Sequence, residues 1–276
     1  MKTRHAAVEG RFYPSTKKKI FDQIRSIEEA GRYPDVQIRP HKVFGAVVPH
    51  AGHLYSGHQT VPFFQLLRKL ERKPETFVIV HPNHTGCGLP VAIDDSDVWV
   101  NSIGEVPLDR DFAEAMHLPF DRRTHSNEHS AEVIIPFTQY YFIDQPFSIV
   151  PVCMGEQGHV VAKTIADSIL DAIKQTGRDI MLLASCDFSH FLPPDLAMEK
   201  DQFVLDAILS RDTIGVETAV KEQQVSVCGY GPIMTLMHYS ASLDPDYNLS
   251  ILARGSSGDV SQSPEVVDYI SMIMYQ

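Results

Sequence analysis

The chain lacks features that mark several large classes of proteins. It has no run of about twenty apolar residues, and no apolar segment follows its first residues, so we expect neither a membrane span nor a secretion signal. Clusters of Lys and Arg are rare, and the formal net charge of -11 argues against nucleic acid or an anionic membrane as a partner. These absences predict a cytoplasmic protein with no nucleic acid partner and no membrane partner.

Closely spaced cysteines are missing as well. The four cysteines are far apart and form no C-x-x-C pair: Cys87, Cys153, Cys186 and Cys228. This spacing indicates neither a disulfide framework nor a zinc ribbon. Each cysteine must therefore be interpreted from its own surroundings.

Strand-like apolar runs alternate with helical patterns along the 276 residues. The predicted strands are Val43–Val48, Thr76–Val80, Phe147–Cys153, Asp179–Ser185 and Asn248–Arg254. A chain of this length, with 43% hydrophobic residues, can bury one large core. We therefore predict a single α/β domain over residues 1–276, with a mostly parallel or mixed central sheet covered by helices on both faces. Residues 265–276 favour an edge strand.

Three of these strands end in turns that contain histidine. The turns are PHAG after the first predicted strand, HPNHTG after the second and CDFSH after the fourth. Because ligands of open α/β sheets bind outside the carboxyl ends of the strands, these turns predict a shared site. His50 and His84 each lie between a proline and a glycine, which suits a metal ligand on a rigid turn. They are the first candidates for metal ligands.

Three further histidines lie equally near in the sequence: His53, His58 and His81. Because side chains alternate in direction along a strand, some of these must support the ligands from behind or face solvent. A single histidine of this kind is more often a hydrogen-bonding group than a metal ligand.

The segment THSNEHSAEVIIPF, residues 124–137, adds His129 and Glu132 three residues apart. Ser126 or Asn127 can cap a short helix, which would place both side chains on one face, beside a helix N-terminus that favours anions. The same spacing also suits a capping box in which Glu132 serves the backbone. Both interpretations remain open from the residues alone.

The string SVCGYGPI, residues 226–233, places Cys228 before two glycines and a proline that can begin a helix. A buried cysteine usually behaves as a small apolar residue. A helix N-terminus lowers the pKa of a nearby thiol, so this setting favours a thiolate. Cys186 in LASCDFSH is a competing candidate for that role.

Seven short strings occur in an order that resembles the Memo-like family, including the AmmeMemoRadiSam system protein B members. The strings are VEGRFYP, VPHAGHLYSG, HPNHTG, NEHSAEVIIPF, CDFSHF, CGYGPI and RGSSGDV, and they span nearly the whole chain. Each string alone is weak evidence for this resemblance, whereas seven strings in the same order are strong evidence. The resemblance implies a three-layer α/β fold similar to that of the class III extradiol dioxygenases, with a non-haem metal pocket.

The resemblance also implies roles for individual residues. The metal ligands of the family correspond to His50, His84 and Cys228. The aspartate and histidine of its pocket correspond to Asp187 and His190 in CDFSH. Extradiol dioxygenases hold their metal with two histidines and a carboxylate, so Cys228 stands here in the carboxylate position.

Three residues are expected on the substrate side of this pocket. His129 and Glu132 match the family segment EHSxE. His81 stands where the resemblance implies a smaller residue, which leaves open a crowded first shell or an alternative ligand. We include it with the substrate-binding candidates.

These residues favour a metal-dependent oxidoreductase of the dioxygenase type. Two histidines and a thiolate suit Fe(II) or copper, with zinc as a third candidate, better than magnesium or calcium. His190 would give and accept protons, with its ring oriented by Asp187. The ligand of the pocket would be a small molecule or a peptide.

Two alternatives come from other classes of function. The first is a Memo-family protein that binds a metal, an anion or a peptide without turnover, which the cysteine ligand favours. The second is a hydrolase using Asp187, Ser189 and His190, which their short spacing and the missing G-x-S-x-G motif disfavour. The family name also implies a pathway link to radical SAM and AMMECR1-like proteins.

Overall fold

The computed structural model describes residues 1–276 and contains eight α-helices and eleven β-strands. The helices are α1 (Lys17–Ala30), α2 (His53–Lys69), α3 (Arg110–Ala115), α4 (Ile135–Tyr141), α5 (His159–Thr176), α6 (Pro194–Leu209), α7 (Thr213–Glu222) and α8 (Tyr230–Leu243). The strands are β1 (Thr3–His5), β2 (Val43–Val48), β3 (Thr76–Pro82), β4 (Val91–Ile93), β5 (Val98–Val100), β6 (Glu105–Pro107), β7 (Ser148–Met154), β8 (Ile180–Ser185), β9 (His190–Leu192), β10 (Asn248–Ser256) and β11 (Val266–Tyr275). Short 3-10 helices cover Arg122–Thr124, Glu132–Ile134 and Ser257–Asp259.

The main sheet has eight strands in the order β10-β11-β2-β8-β3-β7-β4, with β9 paired to β11. The central strands β2, β8, β3 and β7 are parallel to their neighbours, whereas β10, β11 and β4 are antiparallel to theirs. Strands β1, β5 and β6 form a separate three-stranded sheet. The predicted mixed α/β sheet is therefore confirmed.

Both faces of the main sheet are buried, as the apolar runs predict. In β3, Val78 and Val80 pack into the core formed with α5 and α8. Phe77 and Ile79 pack into the second core, formed with α1, α2 and α4. Full burial of each such side chain stabilises the fold by about 1.5–3 kcal/mol. A strand buried on both faces needs apolar residues at every position, which explains the continuous runs in the sequence.

The C-terminal strand differs from the prediction. β11 pairs with β10 on one side and with β2 on the other, so the expectation of an edge strand was wrong. The edge is formed by β10 instead. Nearly every residue of Val266–Tyr275 is buried, which is typical of an interior strand.

Helix α2 begins directly after the PHAG turn, because Gly52 serves as its N-cap. His53 and His58 therefore lie on the helix. His53 is fully buried, and its Nε2 donates to the carbonyl oxygen of Val133 at 2.8 Å. None of the helices combines the length and apolar character needed to cross a bilayer.

Candidate metal centre

The carboxyl ends of β2, β8 and β3 lie side by side because these strands are parallel neighbours. His50 follows the end of β2, His84 follows the end of β3, and Ser185 is the last residue of β8. Cys228 reaches the same edge from the turn before α8, where the backbone amide of Asp187 donates to its Sγ at 3.3 Å. The fold thus joins side chains that are up to 178 positions apart in the sequence.

The side chains of His50, His84 and Cys228 form a compact cluster. Their potential ligand atoms all lie within 4.8 Å of one another. His50 Nε2 is 3.2 Å from Cys228 Sγ, and the two imidazole centroids are 5.2 Å apart in an edge-to-face arrangement. Two imidazole nitrogens and one sulfur form a donor set that suits a transition metal ion.

Hydrogen bonds determine the tautomer of neutral His50. Ser185 Oγ donates its hydrogen to the Ser130 carbonyl oxygen at 2.7 Å. The same oxygen must therefore accept the bond that joins it to His50 Nδ1, also at 2.7 Å. Nδ1 carries the proton, and the lone pair of Nε2 is directed toward Cys228. Metal-binding histidines typically donate their second ring nitrogen to a supporting group in this way.

A buried carboxylate plays the equivalent part for His84. Glu128 accepts from His84 Nδ1 at 2.9 Å and from the backbone amide of the same residue. It also accepts from the amides of His129 and Ser130, at 2.9 and 3.0 Å. Burial raises the pKa of Glu128, but the hydrogen bond from His84 and the charges of His81, His84 and His129 together outweigh burial, so the pKa lies well below its usual value. The second ring nitrogen of His84, Nε2, therefore remains available as a ligand.

The charges in the cluster favour an anionic sulfur. Burial raises the pKa of the Cys228 thiol, but a hydrogen bond to Cys186 and attraction to His50 outweigh it and hold this pKa well below the usual value. Burial lowers the pKa of His84, whereas hydrogen bonds to Cys228 and Glu128 raise it to about 10. Cys228 can therefore offer a thiolate at neutral pH, the form that binds metals.

His129 and Asp187 border the cluster on different sides. The His129 ring centroid is 4.6 Å from that of His84 and 5.5 Å from that of His50. The side chains of His84 and His129 are 33% and 22% exposed, against 2% for His50, so the cluster opens on their side. Asp187 instead contacts His50 from within, because its Oδ1 accepts the backbone amide of His50 at 2.8 Å. Burial and the neighbouring His50 lower the pKa of His129 to about 3.

His190 is oriented by a different group from the one we predicted. Its Nδ1 donates to the Ser226 carbonyl oxygen at 2.8 Å, and its amide donates to Ser226 Oγ at the same distance. No hydrogen bond joins His190 to Asp187, although the two residues are close enough for the His190 charge to act on the Asp187 pKa. The backbone of the Ser226 turn, which precedes Cys228, thus sets the direction of this ring.

The hydrolase arrangement considered above is absent. Ser189 is fully buried, and its Oγ donates to Asp201 Oδ1 at 2.6 Å. The His190 ring instead donates a hydrogen bond to the Ser226 carbonyl oxygen. A nucleophilic serine needs a base within hydrogen-bonding reach and access to substrate, and Ser189 has neither.

Glu132 lies outside the cluster, in contrast to our expectation of a substrate-side residue. Its carboxylate pairs with Arg4 at 2.8 Å and accepts from Tyr13 at 2.9 Å. It also accepts the backbone amides of Ala7 and Val8. Glu132 therefore fastens the N-terminal segment to the 3-10 helix that begins with it. Of the two interpretations from the sequence, the one in which Glu132 accepts backbone amides is closer to the structure. These amides belong to a distant segment, however, and not to the helix that Glu132 begins.

His81 also points away from the cluster. It is part of β3 and fully buried. Its Nδ1 is 2.9 Å from Ser130 Oγ, and its Nε2 is 3.3 Å from His125 Nδ1. Burial and the charge of His125 lower its pKa well below the usual value. A neutral histidine with both nitrogens engaged supports the 128–130 segment.

Sequence reasoning missed the residues that orient the two ligand imidazoles and His190: Glu128, Ser130, Ser185 and Ser226. Glu128 forms a second group of potential ligands with His84 and His129, but its oxygens already accept several hydrogen bonds, so we assign it an orienting role. The position of Glu128 directly before His129 was the available signal. The serines gave none.

A cavity of about 500 Å³ lies elsewhere, at the amino ends of β3, β7 and β8. The charged groups that line it are already paired. Arg178 contacts Asp109 at 3.0 Å, and Asp109 also accepts from Thr76. This cavity offers space without open ligand atoms, so we place the functional site at the smaller histidine cluster.

Known proteins resemble this chain over most of its length. The family model described as "Memo-like protein" matches residues 4–273. A "MEMO1 family protein" of Archaeoglobus fulgidus is 39% identical over 98% of each chain. Proteins of the same description are 36% identical in Methanococcoides burtonii, over 98% of this chain and 99% of that one, and in Pyrobaculum aerophilum, over the whole of both chains. An uncharacterized protein of Escherichia coli K12 has a solved structure with a TM-score of 0.49 and 13% identity, covering 76% of this chain and 90% of that one.

The fold and the cluster define an α/β protein with a group of two histidines and one cysteine able to hold a metal ion at the carboxyl ends of parallel strands. The chain belongs to the Memo-like family.

Proposed function

We propose that this protein is a metal-dependent oxidoreductase whose metal is held by His50, His84 and Cys228. One observation carries the proposal: both imidazoles have Nδ1 engaged by a supporting oxygen, and potential ligand atoms of the two rings and of Cys228 lie within 4.8 Å of one another. Such an arrangement costs little reorganisation when an ion binds, because ligand orientation is already determined.

The two imidazoles and the thiolate limit which metal ions this site would bind. Imidazole suits iron, copper, zinc and nickel, and thiolate favours the softer ions of this series over magnesium and calcium. Iron or copper fits an oxidoreductase, whereas zinc has no redox chemistry of its own. A bound iron or copper ion would supply electron transfer and activation of O2.

The residues around the cluster supply binding and proton transfer. His129 lies on the exposed side, where a small molecule or a peptide terminus can approach, and its low pKa keeps the ring neutral at physiological pH, so it can contribute a hydrogen bond to a ligand rather than act as a base. His190 has one ring nitrogen fixed by Ser226, which leaves the other free to exchange a proton with a ligand. Asp187 holds the backbone of His50 in place.

A second candidate is a Memo-family protein that binds a metal, an anion or a peptide without turnover. The cysteine favours it, since the resemblance to extradiol dioxygenases leads us to expect a carboxylate at this position. A link to radical SAM and AMMECR1-like proteins in one pathway would suit either function, and we keep it as a proposal.

Metal content measured by mass spectrometry after purification without oxygen tests the proposed function. We expect near-stoichiometric iron or copper in the wild type and its loss in His84→Ala and Cys228→Ser. The matched controls His41→Ala and Cys87→Ser change exposed residues and should keep the metal. A folded wild type without metal above background would contradict the proposal. Metal without O2 consumption in a screen of catechols and other phenols would favour the binding protein.

A further inference from the structure

A second cysteine lies against the proposed metal ligand. Cys186 Sγ is 3.1 Å from the carbonyl oxygen of Asp187, and Cys228 Sγ is 3.4 Å from the same oxygen. The amide of Gly229, the residue after Cys228, donates to Cys186 Sγ at 3.2 Å. The two thiols are therefore neighbours, since both contact the same carbonyl oxygen.

The backbones that carry these thiols are adjacent as well. The amide of Cys228 donates to the Asp187 carbonyl oxygen at 3.2 Å. A Cβ atom added at Gly229 would lie only 2.7 Å from Cys186 Cβ. A disulfide requires Cβ atoms about 3.5–4.5 Å apart. The backbone at residue 229 thus contacts Cys186, and Cys228 directly precedes it.

The two cysteines differ in access and in use. Cys186 is fully buried at the end of β8, whereas Cys228 is partly exposed. Cys186 is not a member of either group of potential metal ligands. The proposed function therefore employs one thiol of the pair and leaves the other without a role.

We propose that Cys186 and Cys228 form a redox modification site that a peroxide converts into a disulfide. The Cys228 sulfur attacks one peroxide oxygen, the O–O bond breaks, and a sulfenic acid and a water molecule form from hydrogen peroxide. The Cys186 sulfur then attacks the Cys228 sulfur, the S–O bond breaks, and the oxygen leaves as a second water with the remaining proton. The two thiols lose two electrons, and the peroxide gains them.

The disulfide would remove Cys228 from the ligand set until a thiol reductant restores it. This consequence rests on the proposed function, because it requires Cys228 to bind metal. The cross-link itself depends only on the placement of the two thiols.

Peptide mapping of the metal-free, full-length protein after treatment with equimolar hydrogen peroxide tests the cross-link. We expect the intact mass to fall by about 2 Da, with one peptide pair joined through Cys186 and Cys228, and dithiothreitol to reverse the change. Cys87→Ser and Cys153→Ser should react like the wild type. Cys186→Ser, treated with excess hydrogen peroxide because a sulfinic acid requires two equivalents, should instead accumulate sulfinic acid on Cys228, which dithiothreitol cannot reverse.

Two results would overturn the inference. One is sulfinic acid on Cys228 of the wild type while Cys186 remains free. The other is a disulfide between Cys228 and a different cysteine.

Repeating the reaction with zinc separates this inference from the proposed function. Zinc has no redox chemistry of its own, so it can bind to the Cys228 sulfur without reacting with peroxide. We expect the rate of cross-linking to fall at least about tenfold when zinc is bound, since a coordinated sulfur is shielded. An unchanged rate with zinc bound elsewhere would contradict the ligand assignment while the cross-link stands.

Discussion

Two groups of buried carboxylates support the turns that carry the cluster, and their charges differ. Glu128 is surrounded by donors from His84, His129 and Ser130, and it stays ionised. Asp201 and Asp268 instead lie against each other behind the CDFSH turn, where burial and the neighbouring carboxyl raise the pKa of Asp268 to about 7. Both groups are buried, so the number of hydrogen-bond donors around each carboxylate determines whether it is ionised.

The difference assigns the two groups distinct tasks. An ionised Glu128 can hold His84 in the tautomer that a metal needs. The aspartate pair holds the backbone: Ser189 donates to Asp201 through both its amide and its hydroxyl, and the amide of Asp268 donates to the Ser189 carbonyl oxygen. Arg254 lies 3.8 and 3.9 Å from the two aspartates and offsets only part of their repulsion.

The largest effect is expected from the aspartate pair. Because the folded pKa of Asp268 is raised above its ordinary value, its stabilising contribution is fully present below about pH 4 and is lost as the pH rises through about 7. Urea titrations should show the free energy of unfolding of the wild type, measured relative to that of Asp268→Asn, falling by about 4 kcal/mol across this window, because the amide does not titrate and the buried histidines act equally on both proteins. The exposed change Glu265→Gln should follow the wild type, and a constant difference between the wild type and Asp268→Asn would contradict the assignment.

A smaller effect is expected from Glu128→Gln. The amide keeps the shape but loses the charge, so we predict metal affinity about 10–100-fold weaker, in the range found for groups that support metal ligands. Competition with a chromophoric chelator, using zinc as the probe, measures this. Glu132→Gln is the matched control, because it breaks the buried pair with Arg4 and should lower stability without changing zinc affinity. Equal zinc affinity in Glu128→Gln and the wild type would contradict the orienting role that we assign to Glu128.

The smallest effect is expected from Ser189→Ala. Loss of the hydroxyl that donates to Asp201 should lower the free energy of unfolding by about 1 kcal/mol. Zinc affinity should stay within about twofold of the wild type, because Ser189 contacts no ligand of the cluster. A tenfold loss of affinity would show that the aspartate pair also acts on the metal site and would end the division of tasks described above.

Local sequence patterns predicted the parts of the site that depend on strand ends. His50 and His84 follow buried apolar runs, and parallel neighbours must bring such ends to one edge. The interior position of β11 was also readable, since its residues are apolar almost without a break. The alternation of buried and exposed positions expected of an edge strand is missing there.

The orientation of the side chains could not be predicted, because it depends on partners far away in the sequence. Glu132 meets Arg4, which is 128 residues earlier, through the separate three-stranded sheet, and no local pattern encodes that contact. Ser226 orients His190 from 36 residues away. In each case the sequence motif identified the residue, whereas the tertiary fold determined which group that residue contacts.

The three-residue segment from Glu128 to Ser130 holds both imidazoles at once. The Glu128 carboxylate fixes His84, and the Ser130 carbonyl fixes His50 through the hydroxyl of Ser185. The two ligands are therefore coupled rather than independent. A shift of this segment would disengage both imidazoles together, so capture and release of an ion become cooperative events governed by one short stretch of backbone.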